Sequence, residues 1–410
     1  MKDTQIKKLI DAEKKRQKSV INLIASENIV SKDVLEALGS ELTNKYAEGY
    51  PHKRYYGGQT FIDKIEDVCK ERALNLFGLS DGMWHVNVQA LSGSPANLAV
   101  FLAAVPIGGK IMGMTLSHGG HLTHGQKVSI TGKAWTQVPF GVNEKTETID
   151  YDALKKLAVA EKPAIIVAGF TAYPRAVDFK KFRDIADASG ALLMVDMSHF
   201  AGLVAGKAYA SPFEYADVVT TTVHKTLRGP RSALIFSKKN VNVLKVGPDG
   251  ASKEHSLSDL IDKAVFPGLQ GGPHMNQIAA VAVTLKEAST PAFRKYAEQV
   301  KKNAATLALE LQKLGWRIIS GGTDSHLLLV DTWMAGKKAA NGAGGISGTD
   351  ASDKLEKAGI IVNKNTIPGE TRSAFDPSGI RLGSAAETTR GKKEKDFVAI
   401  AKKIDKVLRS

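Results

Sequence analysis

The chain has 410 residues, 43% hydrophobic and 24% charged, enough for a large buried core and, by length, for two or three domains. Its longest apolar stretches, such as Leu98 to Ile107, fall short of the roughly 20 residues a membrane helix needs, and Pro106 interrupts that one. The single cysteine, Cys69, excludes an internal disulfide and any multi-cysteine metal site, and the net charge of +14 comes from lysines spread over many amphipathic segments, as on a solvated surface.

The N-terminus mixes Lys2, Lys7 and Lys8 with Asp3, Asp11 and Glu13 and has no apolar core of signal-peptide length, so the expected location is the cytoplasm. Ile6, Leu9 and Ile10 at helical spacing predict an amphipathic helix within residues 1–20, the start of an arm (1–50) that contacts a second subunit. Next, Asn44 to Gly58 concentrates aromatics, an acid and glycines, which predicts a constrained binding loop.

From Met83 to Phe236 short apolar runs alternate with helical patterns: His85–Val88, Lys110–Met112, Ala164–Val167, Ala191–Val195, Asp217–Thr220 and Ala233–Phe236. Such alternation predicts an α/β fold with a mainly parallel sheet covered on both faces, and ligands in these sheets gather at the carboxyl ends of the strands. The large domain is expected at 51–275 and a smaller C-terminal α/β domain at 276–410. In the latter, long helices cover 281–314, strands cover Trp316–Ile319 and His326–Val330, and a Gly/Ala/Ser-dense loop lies between Met334 and Ser352.

Ser92-Gly93-Ser94 joins a strand to an apolar helix; it can cap that helix or hold a phosphate on its backbone N–H groups. His118, His121 and His124 recur every three residues, but the glycines between them oppose one rigid metal-binding face, and no metal is expected. The run Ala191–Val195 ends in Asp196, with His199 following, and 29 residues after that acid stands Lys225 in Thr220-Thr-Thr-Val-His-Lys-Thr. Alone, Lys225 reads as a surface lysine and Asp196 as a helix cap. Together they suit pyridoxal phosphate, whose aldehyde needs an amine for an imine and whose ring nitrogen needs a carboxylate to keep it protonated. Arg381, in an apolar run, is either a surface ion-pair partner or a two-pronged grip for a substrate carboxylate.

These motifs in this order resemble the serine hydroxymethyltransferase family: Ile24–Asn28, Tyr46–Pro51, Lys53–Gly58, Ser92–Ser94, His118–His124, Val195–Met197, His224–Arg231, Phe266–His274 and Asn363–Pro368, spread over residues 20–391. The resemblance implies the aspartate-aminotransferase-like fold with a seven-stranded sheet, and a homodimer with shared active sites, with tetramers left open. It also implies pyridoxal 5'-phosphate as cofactor and reversible transfer of the serine hydroxymethyl carbon to tetrahydrofolate or a modified pterin, giving glycine. It assigns Lys225 to the imine, Asp196 to the ring nitrogen, His121 to stacking and His199 to the phenolic oxygen. Ser92, Gly93 and Ser94 go to the phosphate, with Tyr56, Gly271 and Gly272 of the neighbouring subunit. Thr222 and His224 line the pocket, Arg381 and Ser26 meet the substrate carboxylate, Glu48 moves the proton and Tyr46 positions it. Leu116, Leu122, Tyr55 and Asn365 match folate-contacting positions.

Departures from the family pattern are His52 for a usual glycine, Ala90-Leu91 for Pro-His, Pro95 for glutamine, Val223 for threonine, Ser232-Ala233 for Gly-Gly and Ser384-Ala385 for Thr-Pro. They leave room for a related aldolase of β-hydroxy amino acids or an α-methylserine hydroxymethyltransferase. A basic nucleic-acid binder on the same scaffold is the reading from another class, opposed by the complete lysine, acid, arginine and glutamate set.

Overall fold

The computed structural model describes residues 1–246, 251–339 and 342–410. Residues 340–341 of the Gly/Ala/Ser-dense segment lie outside the described residues. The chain forms two compact units, Asn28–Glu298 and a second made of Met1–Glu27 with Gln299–Ser410. The division falls inside the Pro291–Lys313 helix rather than at 275, because the helix that begins at Met275 packs on the Thr60–Phe77 and Lys32–Leu38 helices of the larger unit.

The larger unit is built on a seven-stranded sheet: β1 (Trp84–Asn87), β2 (Lys110–Met114), β3 (Thr136–Phe140), β4 (Ile165–Gly169), β5 (Leu192–Asp196), β6 (Val218–Thr222) and β7 (Ala233–Lys238). The spatial order is β1-β7-β6-β5-β4-β2-β3; β7 alone runs antiparallel to its neighbours, so the sheet is mainly parallel, as expected. Strand β3 was absent from the apolar runs because its inner positions are spaced by Thr136, Gln137 and Pro139. Every residue of β4 and β6 is buried, the condition that drives continuous apolar runs when helices cover both faces. One such cover is the Gly93–Ala104 helix, whose Val100 and Phe101 pack with Val167, Met194, Val218 and Ile235.

Two features of this sheet place chemistry. Asp196 and Thr222 are the last residues of adjacent parallel strands β5 and β6, with Asp196 in register with Thr220. The loop leaving β6 carries His224 and Lys225, so an acid and a lysine come out on the same edge for topological reasons.

The smaller unit has a four-stranded antiparallel sheet in the order Arg317–Ile318, Leu327–Asp331, Gly379–Gly383 and Asn363–Asn365. Leu307, Leu311, Leu355, Phe397, Ile400 and Ile404 from three helices meet Leu328, Val330, Ile380 and Leu382 in its core. The N-terminal helix, Thr4–Ser19, starts at an Asp3 cap and buries no residue; Ile6, Leu9 and Ile10 are 47%, 61% and 52% exposed. No helix among the described residues is long and apolar enough to cross a membrane.

Candidate active site

Asp196 sits at the floor of a closed hydrogen-bond network. Its Oδ1 accepts from the Ser198 N–H (3.1 Å), and its Oδ2 accepts from Asn97 Nδ2 (2.9 Å) and His124 Nε2 (3.1 Å). Asn97 in turn accepts from the Thr220 hydroxyl (2.8 Å) and donates to Thr123 Oγ1 (2.9 Å). The Thr123 hydroxyl then points at His121 Nδ1, 2.6 Å away, which the Thr123 N–H also approaches at 3.1 Å. Burial opposes ionisation of Asp196, but the hydrogen bond and charge of His124 outweigh it and hold the carboxyl well below the usual range. His121 is pushed the other way: burial and the neighbouring His124 pull it down to about 4, so its ring is neutral at pH 7, with Nδ1 as an acceptor.

Above this floor the Gly93–Ala104 helix begins. Its N-cap residue is Ser92, whose hydroxyl does not cap the helix and is left for another acceptor or donor. At Gly93 an added Cβ would lie 2.7 Å from Thr222 Cγ2, so only glycine lets the helix N-terminus come this close to the end of β6. Twelve residues of helix dipole end at Ser92, Gly93 and Ser94.

Lys225 is 9% exposed, and its carbonyl accepts from Asn28 Nδ2 (2.9 Å), which also donates to the Tyr296 hydroxyl (2.7 Å). The Tyr296 hydroxyl donates to the Thr226 carbonyl (3.2 Å), and the Thr226 hydroxyl donates to the carbonyl of His199 (2.9 Å), tying the lysine loop to the residues after β5. Arg228, at φ 62°, turns the loop and lays its guanidinium 4.4 Å from the Tyr296 ring centre. Beside Lys225, burial and the lysine's charge pull His224 down to about 3, and its Nδ1 is buried without a hydrogen-bond partner among the described residues. A neutral, unsatisfied ring nitrogen beside the lysine, a helix terminus trimmed to glycine and an ionised acid on the floor fit a pyridoxal phosphate in this cleft.

A second group of expected site residues lies on a hairpin. Gly49–Tyr50 pairs with Lys53–Arg54, and Arg54 is the clamp: Nη1 donates to the carbonyls of Ala47 and Gly49, both at 2.9 Å, on either side of Glu48. The guanidinium is fixed by Asp63 (2.9 Å) and by fully buried Glu66 (2.7 Å), and Gln89 bridges Glu66 and the Gly49 carbonyl. Tyr46 and Tyr55 each meet Tyr56 edge-on at 5.2 Å, and the three are 56%, 82% and 43% exposed. Gly271 and Gly272 lie against this group, with a Cβ at Gly271 reaching 3.5 Å from Glu48 Oε1 and one at Gly272 reaching 3.2 Å from the Tyr46 ring.

Leu116 begins the short turn after β2, and Leu122 is 44% exposed next to His121. Ser26, Arg381 and Asn365 belong to the smaller unit, where Arg381 Nε donates to Asn363 Oδ1 (3.0 Å) and the Gly383 N–H donates to the Leu23 carbonyl (2.7 Å), drawing Ala25 and Ser26 toward the Arg381 strand. Burial pulls the Arg381 guanidinium down to about 10, still charged at neutral pH. The three histidines have separate tasks: His118 accepts from the Val142 N–H (3.1 Å), His121 meets Thr123 and His124 holds Asp196. Asn97, Thr123, His124 and Asn28 carry no assigned role in the sequence. The Ser-Gly-Ser-Pro-Ala-Asn motif, the histidine spacing and the Ile24–Asn28 motif contain them without pointing to these contacts.

The family model for serine hydroxymethyltransferase matches residues 1–404. A serine hydroxymethyltransferase from Desulfotalea psychrophila is 52% identical over 406 residues, covering 99% of this chain and 88% of that relative. A match that runs through both units, over a cleft carrying the buried lysine and the ionised acid, leaves one assignment: the chain belongs to the serine hydroxymethyltransferase family.

Proposed function

We infer that this chain catalyses reversible transfer of the serine hydroxymethyl carbon to tetrahydrofolate, giving glycine and 5,10-methylenetetrahydrofolate, with pyridoxal phosphate as cofactor. The observation that carries the reading is the placement of Lys225 and ionised Asp196 on one edge of adjacent parallel strands, beside a glycine-trimmed helix N-terminus. Bound pyridoxal phosphate supplies an electron sink for the pair released when the serine Cα–Cβ bond breaks. Lys225 supplies the amine that tethers the cofactor, and Asp196 keeps the ring nitrogen protonated. His121 offers a neutral face for stacking, His199 meets the phenolic oxygen, and Thr222 and His224 bound the pocket beside the lysine. Ser92, Gly93 and Ser94 hold the phosphate by hydroxyls and helix N–H groups.

Glu48 moves the proton at the substrate hydroxymethyl group and Tyr46 orients it. Arg381, with Ser26, takes the amino-acid carboxylate, and Leu116, Leu122, Tyr55 and Asn365 receive the one-carbon carrier. The working form is a homodimer in the cytoplasm, with Tyr56, Gly271 and Gly272 of one copy completing the phosphate site of the other. The exposed tyrosine group supports this, since three clustered aromatics on water are a cost that an interface removes.

One observation favours a second reading. Leu91 and Pro95, which replace a polar pair, line an apolar cavity of about 460 Å³ with Leu98, Leu122, Val128 and Leu269 beside Ser94 and His121. Such a space suits a bulkier β-hydroxy amino acid cleaved without the carrier. The test is glycine formation from serine with and without tetrahydrofolate, for the wild-type protein and Lys225→Ala. Folate-dependent turnover lost in the variant is the expected result. Cleavage of bulkier substrates alone, without folate, would move the reading to an aldolase.

A further inference from the structure

His52 stands at the tip of the hairpin that carries Glu48, in a backbone conformation that favours glycine. The hairpin that carries Glu48 pairs Tyr50 with Lys53, so Pro51 and His52 form its two-residue turn. His52 has φ 65°, the left-handed conformation required at the second central position of a type II turn after proline, where a side chain costs conformational energy that glycine avoids.

The ring reaches the neighbouring helix. His52 Nε2 lies 3.1 Å from Asp67 Oδ2 and Nδ1 lies 3.8 Å from Asp63 Oδ2, while the His52 backbone N–H donates to the same Asp63 oxygen at 3.1 Å. Asp63 and Asp67 stand one turn apart on the Thr60–Phe77 helix. Asp63 is also the acid that holds Arg54, the clamp on the carbonyls flanking Glu48. From the turn, the Tyr55 N–H returns to the Glu48 carbonyl at 2.9 Å.

We propose that His52 is a positioning residue: it latches the tip of the Glu48 hairpin to the Thr60–Phe77 helix through Asp67 and Asp63 and so steadies the carboxylate that Arg54 aims. The inference rests on the role given to Glu48 above. The ring is 74% exposed and Asp67 46%, so the latch acts on a small scale, steadying a hairpin already held by Arg54.

The test uses the assembled, cofactor-loaded protein and the variants His52→Asn, which tolerates the turn but lacks the ring, Asp67→Asn, and the two combined, with Glu48→Gln in parallel. Each single latch variant should speed amide exchange at residues 48–55 and lower kcat for serine cleavage by about two- to fivefold, the factor an exposed polar side-chain contact carries. The KM for serine and the melting temperature should stay at wild-type values, and the double variant should be no worse than the weaker single. His52→Gly should lose the same factor in kcat despite its relaxed turn. Unchanged exchange and kcat in both single variants, or losses that multiply in the double, would overturn the latch. Full turnover by Glu48→Gln would instead sink the role of Glu48, while the exchange data still judge the latch by itself.

Discussion

The Asp196 floor and the Glu48 hairpin, both in the larger unit, hold their functional groups by opposite means. On the floor the side chains are paired with one another: Asp196, Asn97, His124, Thr123 and Thr220 are buried and satisfy each other in one network. On the hairpin the backbone is fixed by Arg54 from inside, while Tyr46, Tyr55 and Tyr56 face outward. The floor is finished within one chain, fixed in geometry and charge as electrostatic preorganisation requires. The hairpin is rigid in its main chain and open in its side chains, as the roles proposed for Glu48 and the tyrosines require.

The sharpest way to break this contrast is to attack the floor. Asp196→Asn removes the ionised acid while keeping its shape, and turnover should fall by about 10²–10³-fold or more, the scale of losing a preorganised electrostatic contact. The check is kcat together with the cofactor absorbance band; near-normal turnover would mean that the acid is merely structural.

Arg54→Ala tests the hairpin's anchor. It takes the nearest cation from Asp63 and from fully buried Glu66, which keeps only Lys70 at 3.4 Å and the Gln89 amide, so stability should drop by about 3 kcal/mol in denaturant unfolding. A loss under about 1 kcal/mol would show that the clamp is dispensable.

Acid should loosen the histidines around the cleft before the hairpin anchor. His121 and His224 are pulled from 6.5 down to about 4 and about 3, so their neutral forms are favoured by folding. That stability is complete above pH 6.5 and is lost as pH falls through 6.5 toward 4 and 3, because the unfolded chain takes up protons that the folded one refuses. With partial solvent access the loss is on the order of 2 kcal/mol for each ring, read as melting temperature against pH. A flat profile between pH 6.5 and 4 would contradict the assigned neutral rings.

The smallest effect is expected at the outward face. Tyr55→Ala, at 82% exposure, should change the folding stability of the chain by less than about 0.5 kcal/mol while lowering carrier-dependent turnover. Measured together, unfolding and turnover separate a surface kept for function from one kept for the fold.

Much of this was readable in the residues. The apolar run Ala191–Val195 marks a buried strand whose carboxyl end, at Asp196, faces the ligand edge, and Lys225 comes three residues after the next strand ends at Thr222. The helix from Gly93 was announced by Ser-Gly-Ser before an apolar stretch. His124 was visible only as one of three evenly spaced histidines, since its partner Asp196 is 72 residues away and Asn97 is 99 residues from the same acid. Arg54 carries no assigned role within the Asn44–Gly58 loop; only folding buries it between the carbonyls of Ala47 and Gly49 and the Thr60–Phe77 helix.

Sequence by itself determined the α/β class, the acid and lysine at strand ends and the family resemblance, because these depend on local periodicity and on motifs that survive without contacts. Tertiary structure alone decided which histidine holds the acid, which rings stay neutral, where the unit boundary falls inside a continuous helix, and why a histidine can stand at φ 65° in the Glu48 hairpin. Those outcomes depend on burial and on partners distant in the chain, and neither is fixed until the sheet sets its strand order.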